Sequence, residues 1–520
     1  MFFQVLQPVN LKTLRANIQF IARAKRVCCG NCHLAVLSSL RTNYDNRTRS
    51  STLTQLANRF CATRYTVTAV KILLLGTYEL GRQPFGLASP AAWLRKRGHS
   101  VRCIDLSRQS LDESALREAE LIVFYLPMHT ATRLALQWLP AIRAQNPNAR
   151  LCACGLYAAL NDSHLRAAGF SAILGPEFEA DLSQLASTLS SENSNGHHES
   201  IPAKLPRLAF EIPDRAGLPA LQKYAHVIFP TGDHRTAGYT EASRGCKHLC
   251  RHCPIVPVYN GQFRVVPQEI VLADIRQQVQ AGAQHITFGD PDFFNGITHA
   301  TRIVEALHAE HPLLTYDATI KVGHLLRQAD ALPTLARTGC LFVTSAVESL
   351  DDQVLLKLEK GHTRADFFCA LDLCNNANLT LQPTFVPFTP WTTRENYFDL
   401  LETIADRNLV AAVPSIQLAI RLLIPSRSRL LELPEIASMA GEFDSEKLVY
   451  PWQHSDPAID ALAESISQVV AAAEKRRESR SETFERIWDA ASQLQKTMPD
   501  PFRSAAPPRP APYLSEPWYC

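Results

Sequence analysis

The 520-residue chain lacks several features that would settle its class at once. It has no run of about 18 apolar residues, so no membrane span is expected. No secretory signal opens it, and its 14 cysteines are scattered apart from one tight cluster, which argues against a disulfide framework. Acid is nearly absent from residues 1–69, where Asp45 stands against ten Lys and Arg. That segment therefore carries +9 of a total of +3, which leaves −6 on the rest of the chain. A mildly acidic body offers no electrostatic case for nucleic-acid binding. The length implies two to four domains.

Residues 1–69 are basic, rich in Ser, Thr and Asn, and show no core pattern before Val70. They read as a disordered segment, either translated ahead of the true start or a transit peptide. Cys28, Cys29 and Cys32 lie there without a His or Cys partner at a useful spacing, so a ligand role is not expected of them.

From Val70 to residue 189 strand and helix patterns alternate. "VKILLLG" is a continuous apolar run, as a strand buried on both faces should be. "VRCIDL", "AELIVFYLP", "RLCACG" and "SAILGP" follow as further strands, and "SPAAWLRKRGHS" as a helix ending at Gly98. The pattern predicts a doubly wound, Rossmann-like parallel sheet with Gly76–Gly86, Pro127–Thr130 and Gly155–Tyr157 on its ligand-facing edge. Residues 190–235 read as a polar and then Pro-rich linker.

A second alternating series runs through residues 236–430, with strands at "GYTEAS", "HITFGD", "LLTYDATI", "CLFVTSAVES", "LTLQPTFVPF" and "SIQLAIRLLIP". Six β/α units make a partial (β/α)6 TIM-type barrel, whose function sits where strands end. Residues 431–498 read as a helical extension laid on the barrel through Ile459, Leu462, Ile466, Val469, Val470, Phe484, Ile487, Trp488 and Leu494. A Pro-rich tail, residues 499–520, ends the chain.

Cys246, Cys250 and Cys253 follow the first barrel strand with the spacing Cys-x-x-x-Cys-x-x-Cys. Structural zinc takes four ligands; His248 or His252 would supply a fourth, but the spacing is not that of a zinc finger. An iron–sulfur cubane held by three thiolates leaves one iron open, where a substrate or cofactor binds. Among the other cysteines, Cys340, Cys369 and Cys374 lack ligand-like spacing and read as small core residues.

The cysteine motif resembles that of the radical SAM superfamily, and later segments match in order. "FGDPDFFNG" ends the second barrel strand, where that family binds the amino group of S-adenosylmethionine. The resemblance implies cofactor-binding roles for Gly289, Asp290 and Asp292, although the two acids would equally cap the next helix. "SAVES" ends the fourth strand and offers Glu348 to the ribose or methionyl part. "PTFVPFTPWTTREN" matches the fifth-strand loop, with Pro387, Pro390 and Trp391 where the family has glycines and an acid. His252 stands where an aromatic residue commonly packs near the adenine. Lys321, just past the third strand, is a weaker site candidate. The resemblance implies a 4Fe-4S cluster on the three cysteines that cleaves S-adenosylmethionine to a 5′-deoxyadenosyl radical. It also implies a flavodoxin or ferredoxin as electron donor, a small-molecule or peptide substrate, and a cytoplasmic location.

"PFGLASPAAWLRKRGHSVRCIDLS" and "PDRAGLPALQKYAHV" resemble the cobalamin-binding domain and interdomain segment of one radical SAM subgroup. That implies cobalamin as a further cofactor and methyl transfer as the reaction. The Asp-x-His-x-x-Gly cobalt-ligating motif is absent, and His129 has no matching motif. The ending "SEPWYC" resembles radical SAM proteins ending in Cys-Cys-Ala-Glu-Pro or Cys-selenocysteine-Ala-Glu-Pro, which implies a selenocysteine codon after Cys520. Two alternatives stay open. In a methylthiotransferase the first domain would hold a second cluster, but Cys103, Cys152 and Cys154 have the wrong spacing. The other is a non-catalytic iron–sulfur or zinc scaffold.

Overall fold

The computed structural model describes residues 69–189, 209–492 and 511–516. The basic first segment, most of the tail and Cys520 lie outside them. No helix among the described residues is long and apolar enough to cross a membrane.

Five strands build the first sheet: β1 (Lys71–Gly76), β2 (Ser100–Asp105), β3 (Leu121–Tyr125), β4 (Arg150–Cys154) and β5 (Ala172–Leu174). Their order is β2-β1-β3-β4-β5 and every pairing is parallel. The period of two explains the apolar run in β1. Leu73 and Leu75 pack on one face with Leu139 and Ile142, while Ile72 and Leu74 pack on the other with Leu87, Leu94 and Leu182. Burying each such side chain contributes about 1.5–3 kcal/mol. Strand order reverses between β1 and β3, so the crevice at their carboxyl ends is where this fold takes ligands.

The second sheet has the order β13-β12-β11-β10-β7-β6-β14. Its parallel part is β7 (His234–Thr240), β10 (His285–Phe288), β11 (Thr315–Thr319), β12 (Cys340–Glu348) and β13 (Thr380–Phe385). Ile286, Phe288, Tyr316, Val343, Leu381 and Phe385 share one core with the surrounding helices. A hairpin of β8 (Ser243–Gly245) and β9 (Phe263–Val265) stands beside it.

Four expectations need correction. The sixth barrel strand does not form: Ser415–Leu418 is a 3₁₀ turn, and only the bridge Phe388–Arg421 continues the sheet. Side chains take the bonds a ladder would use, since Gln417 accepts from the Phe385 N–H and the Tyr397 hydroxyl donates to the Leu418 carbonyl. The connection before the barrel is not wholly irregular, because β6 (His226–Ile228) pairs antiparallel with β7. The tail also contributes: β14 (Tyr513–Leu514) pairs with β6. Finally, the described part of the C-terminal extension is not one helix: a short helix, Pro434–Met439, precedes Pro457–Arg476 and Arg480–Ser492, and the last two are broken at Arg477, whose φ of 56° is left-handed.

The two sheets are tied by Arg215. Its guanidinium forks onto Asp274 at 2.8 Å, and it also donates to the Gln83 side chain and the Tyr239 carbonyl. Asp274 is buried, and a bidentate, desolvated pair of this kind fixes geometry as well as charge.

Candidate active site

The hairpin β8–β9 sets both ends of the cysteine loop. Gly245, immediately before Cys246, has a φ of +75°, and a Cβ there would run into the Gln262 carbonyl and the Tyr259 ring. Within the loop, the Cys253 N–H donates to the Cys250 carbonyl at 3.1 Å. Arg251 fastens the loop to the end of the barrel: its N–H reaches the Leu358 carbonyl and its guanidinium meets Lys357 and Glu359. Arg429 adds a bond to the Leu249 carbonyl. Burial pushes the Cys253 thiol up to about 12 and raises that of Cys246, which bonds to Asn295 and the His248 N–H draw back down. Thiols held this high bind metal only by releasing protons to it.

Two lysines face the thiols. Lys321 Nζ is 3.5 Å from Cys250 Sγ. Lys360 is buried and its charge is felt by Cys253, while Glu348 accepts from it at 3.2 Å. Glu348 also contacts His252 Nε2 at 3.1 Å. Burial raises the Glu348 carboxyl, but Lys360 and His252 outweigh it and hold the group well below its ordinary range. Glu348 closes β12 with a φ of 72° after a register shift, strained backbone of the kind found at ligand sites. His362 lies close by; burial first, then Lys360 and Lys321, pull its pKa down to about 4. The Ser345 Oγ and His252 Nδ1 are buried without a hydrogen-bond partner among the described residues. Native proteins leave few such atoms, so they mark room for a ligand.

The loop after β10 contributes differently from residue to residue. Gly289 is required by packing, because a Cβ would overlap the Tyr239 hydroxyl. Asp290 turns inward and accepts from the Ala242 N–H and the Ser243 hydroxyl, so it braces the start of the cysteine loop. Burial lifts its pKa to about 7, against those same bonds. Asp292 is buried, accepts from His248 and lies 2.7 Å from His324 Nδ1; burial raises its carboxyl, but the two imidazoles bring it below the ordinary value.

A cavity of about 180 Å³ lies between the edge of the first sheet and the cysteine loop, walled by Phe85, Tyr125, Gly155, Phe178, Arg244 and Tyr259. Arg244 is buried there between Glu179 at 2.7 Å and Glu241 at 2.8 Å. His129 stands at the head of the helix His129–Gln145 and is taken up by the Lys447 carbonyl; burial lowers its pKa. Cys103, Cys152 and Cys154 are packed in the first core, and burial raises all three thiols. Cys340 and Cys374 are likewise buried, but Cys369 is exposed, contrary to the core role expected of it.

The structure thus brings Cys250, Cys253, His252, Glu348 and Lys321 to one place and sets Asp290 behind it. Lys360, His362, His324 and Arg244 are not signalled by the sequence. "EKGHT" carries no motif, and only the return of that turn onto β12 shows its lysine beside the thiols.

Residues 240–404 match the model of the radical SAM superfamily. A hopanoid C-3 methylase of Methylococcus capsulatus is 24% identical over 324 residues, 59% of this chain and 62% of the methylase. A tRNA-2-methylthio-N(6)-dimethylallyladenosine synthase of Fusobacterium nucleatum is 24% identical over 192 residues, 33% of this chain and 41% of the synthase. The chain therefore spans less than two thirds of the length of these curated relatives. In three dimensions it is similar to the cobalamin-dependent S-adenosylmethionine radical enzyme OxsB with aqua-cobalamin bound. That TM-score is 0.61 at 14% identity, over 83% of this chain and 74% of OxsB. The radical S-adenosylmethionine methyltransferase TsrM of Kitasatospora setae, with cobalamin and a [4Fe-4S] cluster, gives 0.55 at 15% identity over 71% of this chain and 78% of that one. These likenesses carry the fold, a Rossmann-like sheet joined to a partial barrel. The segment that matches the radical SAM superfamily, residues 240–404, is the one that carries the three cysteines on the loop leading out of the first barrel strand.

Proposed function

We propose that this chain is a radical SAM enzyme in which Cys246, Cys250 and Cys253 hold a 4Fe-4S cluster. The observation that carries this reading is the set of groups around the thiols: Lys321 at Cys250, and Lys360, Glu348 and His252 converging behind them. When bound there, such a cluster supplies one electron to S-adenosylmethionine, which is cleaved to methionine and a 5′-deoxyadenosyl radical. The chain's own residues do the rest. Lys321 and Lys360 offset the negative charge of three thiolates in a site of low dielectric. His252 and Glu348, the latter held in left-handed backbone, present a donor and an acceptor to the polar parts of the ligand. Asp290 and Gly245 hold the loop in place, and the barrel wall keeps water away.

The electron comes from a flavodoxin or ferredoxin, the substrate is a small molecule or peptide, and the compartment is the reducing cytoplasm, where thiols stay free. Anaerobic reconstitution tests the reading. The chain should bind about four irons through its three thiolates and release 5′-deoxyadenosine with dithionite and S-adenosylmethionine. Cys250→Ala should lose both. Full-rate cleavage by that variant, or zinc bound with no cleavage, would overturn it.

A second reading adds cobalamin and methyl transfer. It is favoured by the cavity between the first sheet's carboxyl edge and the cysteine loop, and by the cobalamin-containing proteins of the same fold. The place suits such a ligand. The volume of about 180 Å³ is below the roughly 300–1,000 Å³ of small-molecule pockets, so the loops after β1, β3 and β4 would have to part. No step is routed through it here. Retention of one cobalamin per chain after desalting, with quenching of tyrosine fluorescence, supports this reading; free elution of the cobalamin opposes it. A methylthiotransferase is disfavoured, since Cys103, Cys152 and Cys154, the cysteines of the first sheet among the described residues, are sealed in its core.

A further inference from the structure

His248 lies between the first two cysteines of the loop but is turned away from the work they do. Its Nε2 is 3.1 Å from Asp292 Oδ2. The same oxygen is 2.7 Å from Nδ1 of His324, on the helix Val322–Arg327 that follows β11. The two imidazole rings face each other at 4.8 Å. Three separate segments therefore deliver one nitrogen, one carboxylate oxygen and one nitrogen to a single point, all within 4.8 Å of one another.

We propose that His248, Asp292 and His324 form a binding site for a borderline divalent ion of the zinc class, distinct from the site made by the three thiols. Two imidazoles and a carboxylate are a donor set for these borderline ions, and three protein ligands leave coordination positions open. With metal–ligand bonds of about 2.0–2.2 Å, neighbouring donor atoms in such a shell lie about 3–3.5 Å apart. The 3.1 Å pair already has that spacing, the 2.7 Å pair would open slightly around an ion, and His324 Nδ1 is buried with no hydrogen-bond partner among the described residues. Asp292 is oriented for the task. Its other oxygen accepts from the Phe294 N–H at 3.2 Å and the Lys321 N–H at 3.4 Å, so Oδ2 is left aimed at the two rings. Supports of this kind fix a ligand's direction. The Lys321 ammonium, whose charge is felt at His248, is directed at Cys250 rather than into the triad. The competing arrangement is a hydrogen-bonded triad in which the carboxylate accepts from both rings and no ion enters.

Metal analysis of the cluster-loaded protein separates the two and does not depend on cleavage of S-adenosylmethionine. The reconstituted chain is treated anaerobically with Zn²⁺, desalted, and assayed for zinc, iron and sulfide. About one zinc per chain should be retained with iron unchanged, and a Co²⁺-treated sample should show ligand-field absorption. His324→Gln and Asp292→Asn should lower zinc affinity roughly tenfold or more while keeping iron and sulfide. His308→Gln, on the helix Ile297–Glu310, serves as the control and should bind zinc like the parent. His324 lies outside the cysteine loop, so its variant reports on the site even if Asp292→Asn disturbs the loop. The proposal is overturned if no zinc is retained, if zinc enters only as iron leaves, or if His324→Gln binds zinc as the parent does.

Discussion

Glu348 is the acid on which two basic side chains of the site converge. It is buried in left-handed backbone, with Lys360 and His252 as its partners. Replacing it by Gln leaves the Lys360 ammonium buried without a counter-charge, which costs about 3–5 kcal/mol. Glu348→Gln should lower the urea midpoint accordingly, and adding Lys360→Met should recover part of the loss. An unchanged midpoint in the single variant would show that the pair is not desolvated in solution. Asp290 makes a pH-dependent contribution of the opposite sense. Its carboxyl sits at about 7 in the folded chain because burial disfavours the charge. An unfolded Asp titrates at about 3.9. Between these values the folded chain holds a proton that the unfolded chain has lost, so stability falls as pH rises from about 4 to about 7. Asp290→Asn should flatten that slope by up to about 1.4 kcal/mol per pH unit. Urea midpoints of parent and variant across this range measure it, and parallel slopes would reject it.

At the scale of elements, the cysteine loop depends on the turn that launches it. Gly245 has left-handed backbone and no room for a Cβ against the Gln262 carbonyl. Gly245→Ala should therefore strain the β8–β9 hairpin by about 1–3 kcal/mol and lower the iron retained after reconstitution, with Cys246 unchanged in sequence. Full iron occupancy in that variant would mean that the loop adapts without the hairpin. The missing sixth strand belongs to the same scale. "SIQLAIRLLIP" has the apolar content of a strand, but Pro414 precedes it and Gln417 is drawn onto the Phe385 N–H, so it curls into a 3₁₀ turn.

At the scale of the whole molecule, the chain's far end closes back on its middle. β14 lies on β6, the Ser515 N–H bonds to the His226 carbonyl, Gln382 donates to the Pro512 carbonyl, and Glu516 pairs with Arg108 at the edge of the first sheet. Removing residues 511–520 should cost about 2–4 kcal/mol, at about 1 kcal/mol per hydrogen bond lost. A melting temperature lowered by several degrees would match, whereas an unchanged one would mean that the strand contributes no net stability. Arg215 acts over similar distance by joining Gln83, Tyr239 and Asp274.

Much of this was legible in one dimension. In the first sheet β1 and β3 are near-continuous apolar runs, and the helical patterns between the strands mark the rest of the alternation. Cys246, Cys250 and Cys253 declare a metal site because chemistry restricts their spacing as few other features are restricted. Residues that act through distant partners left no such mark. Lys360 is one lysine among many until a turn brings it to Glu348, and His248 and His324, 76 positions apart, meet at Asp292 only because β7, β10 and β11 are successive parallel neighbours that end at the same face. Local propensity and ligand spacing are properties of short segments, so the sequence alone determined the sheet strands and the thiol motif. Desolvation, charge pairing and the edge between two sheets are properties of the packed chain, and the tertiary structure alone decided them.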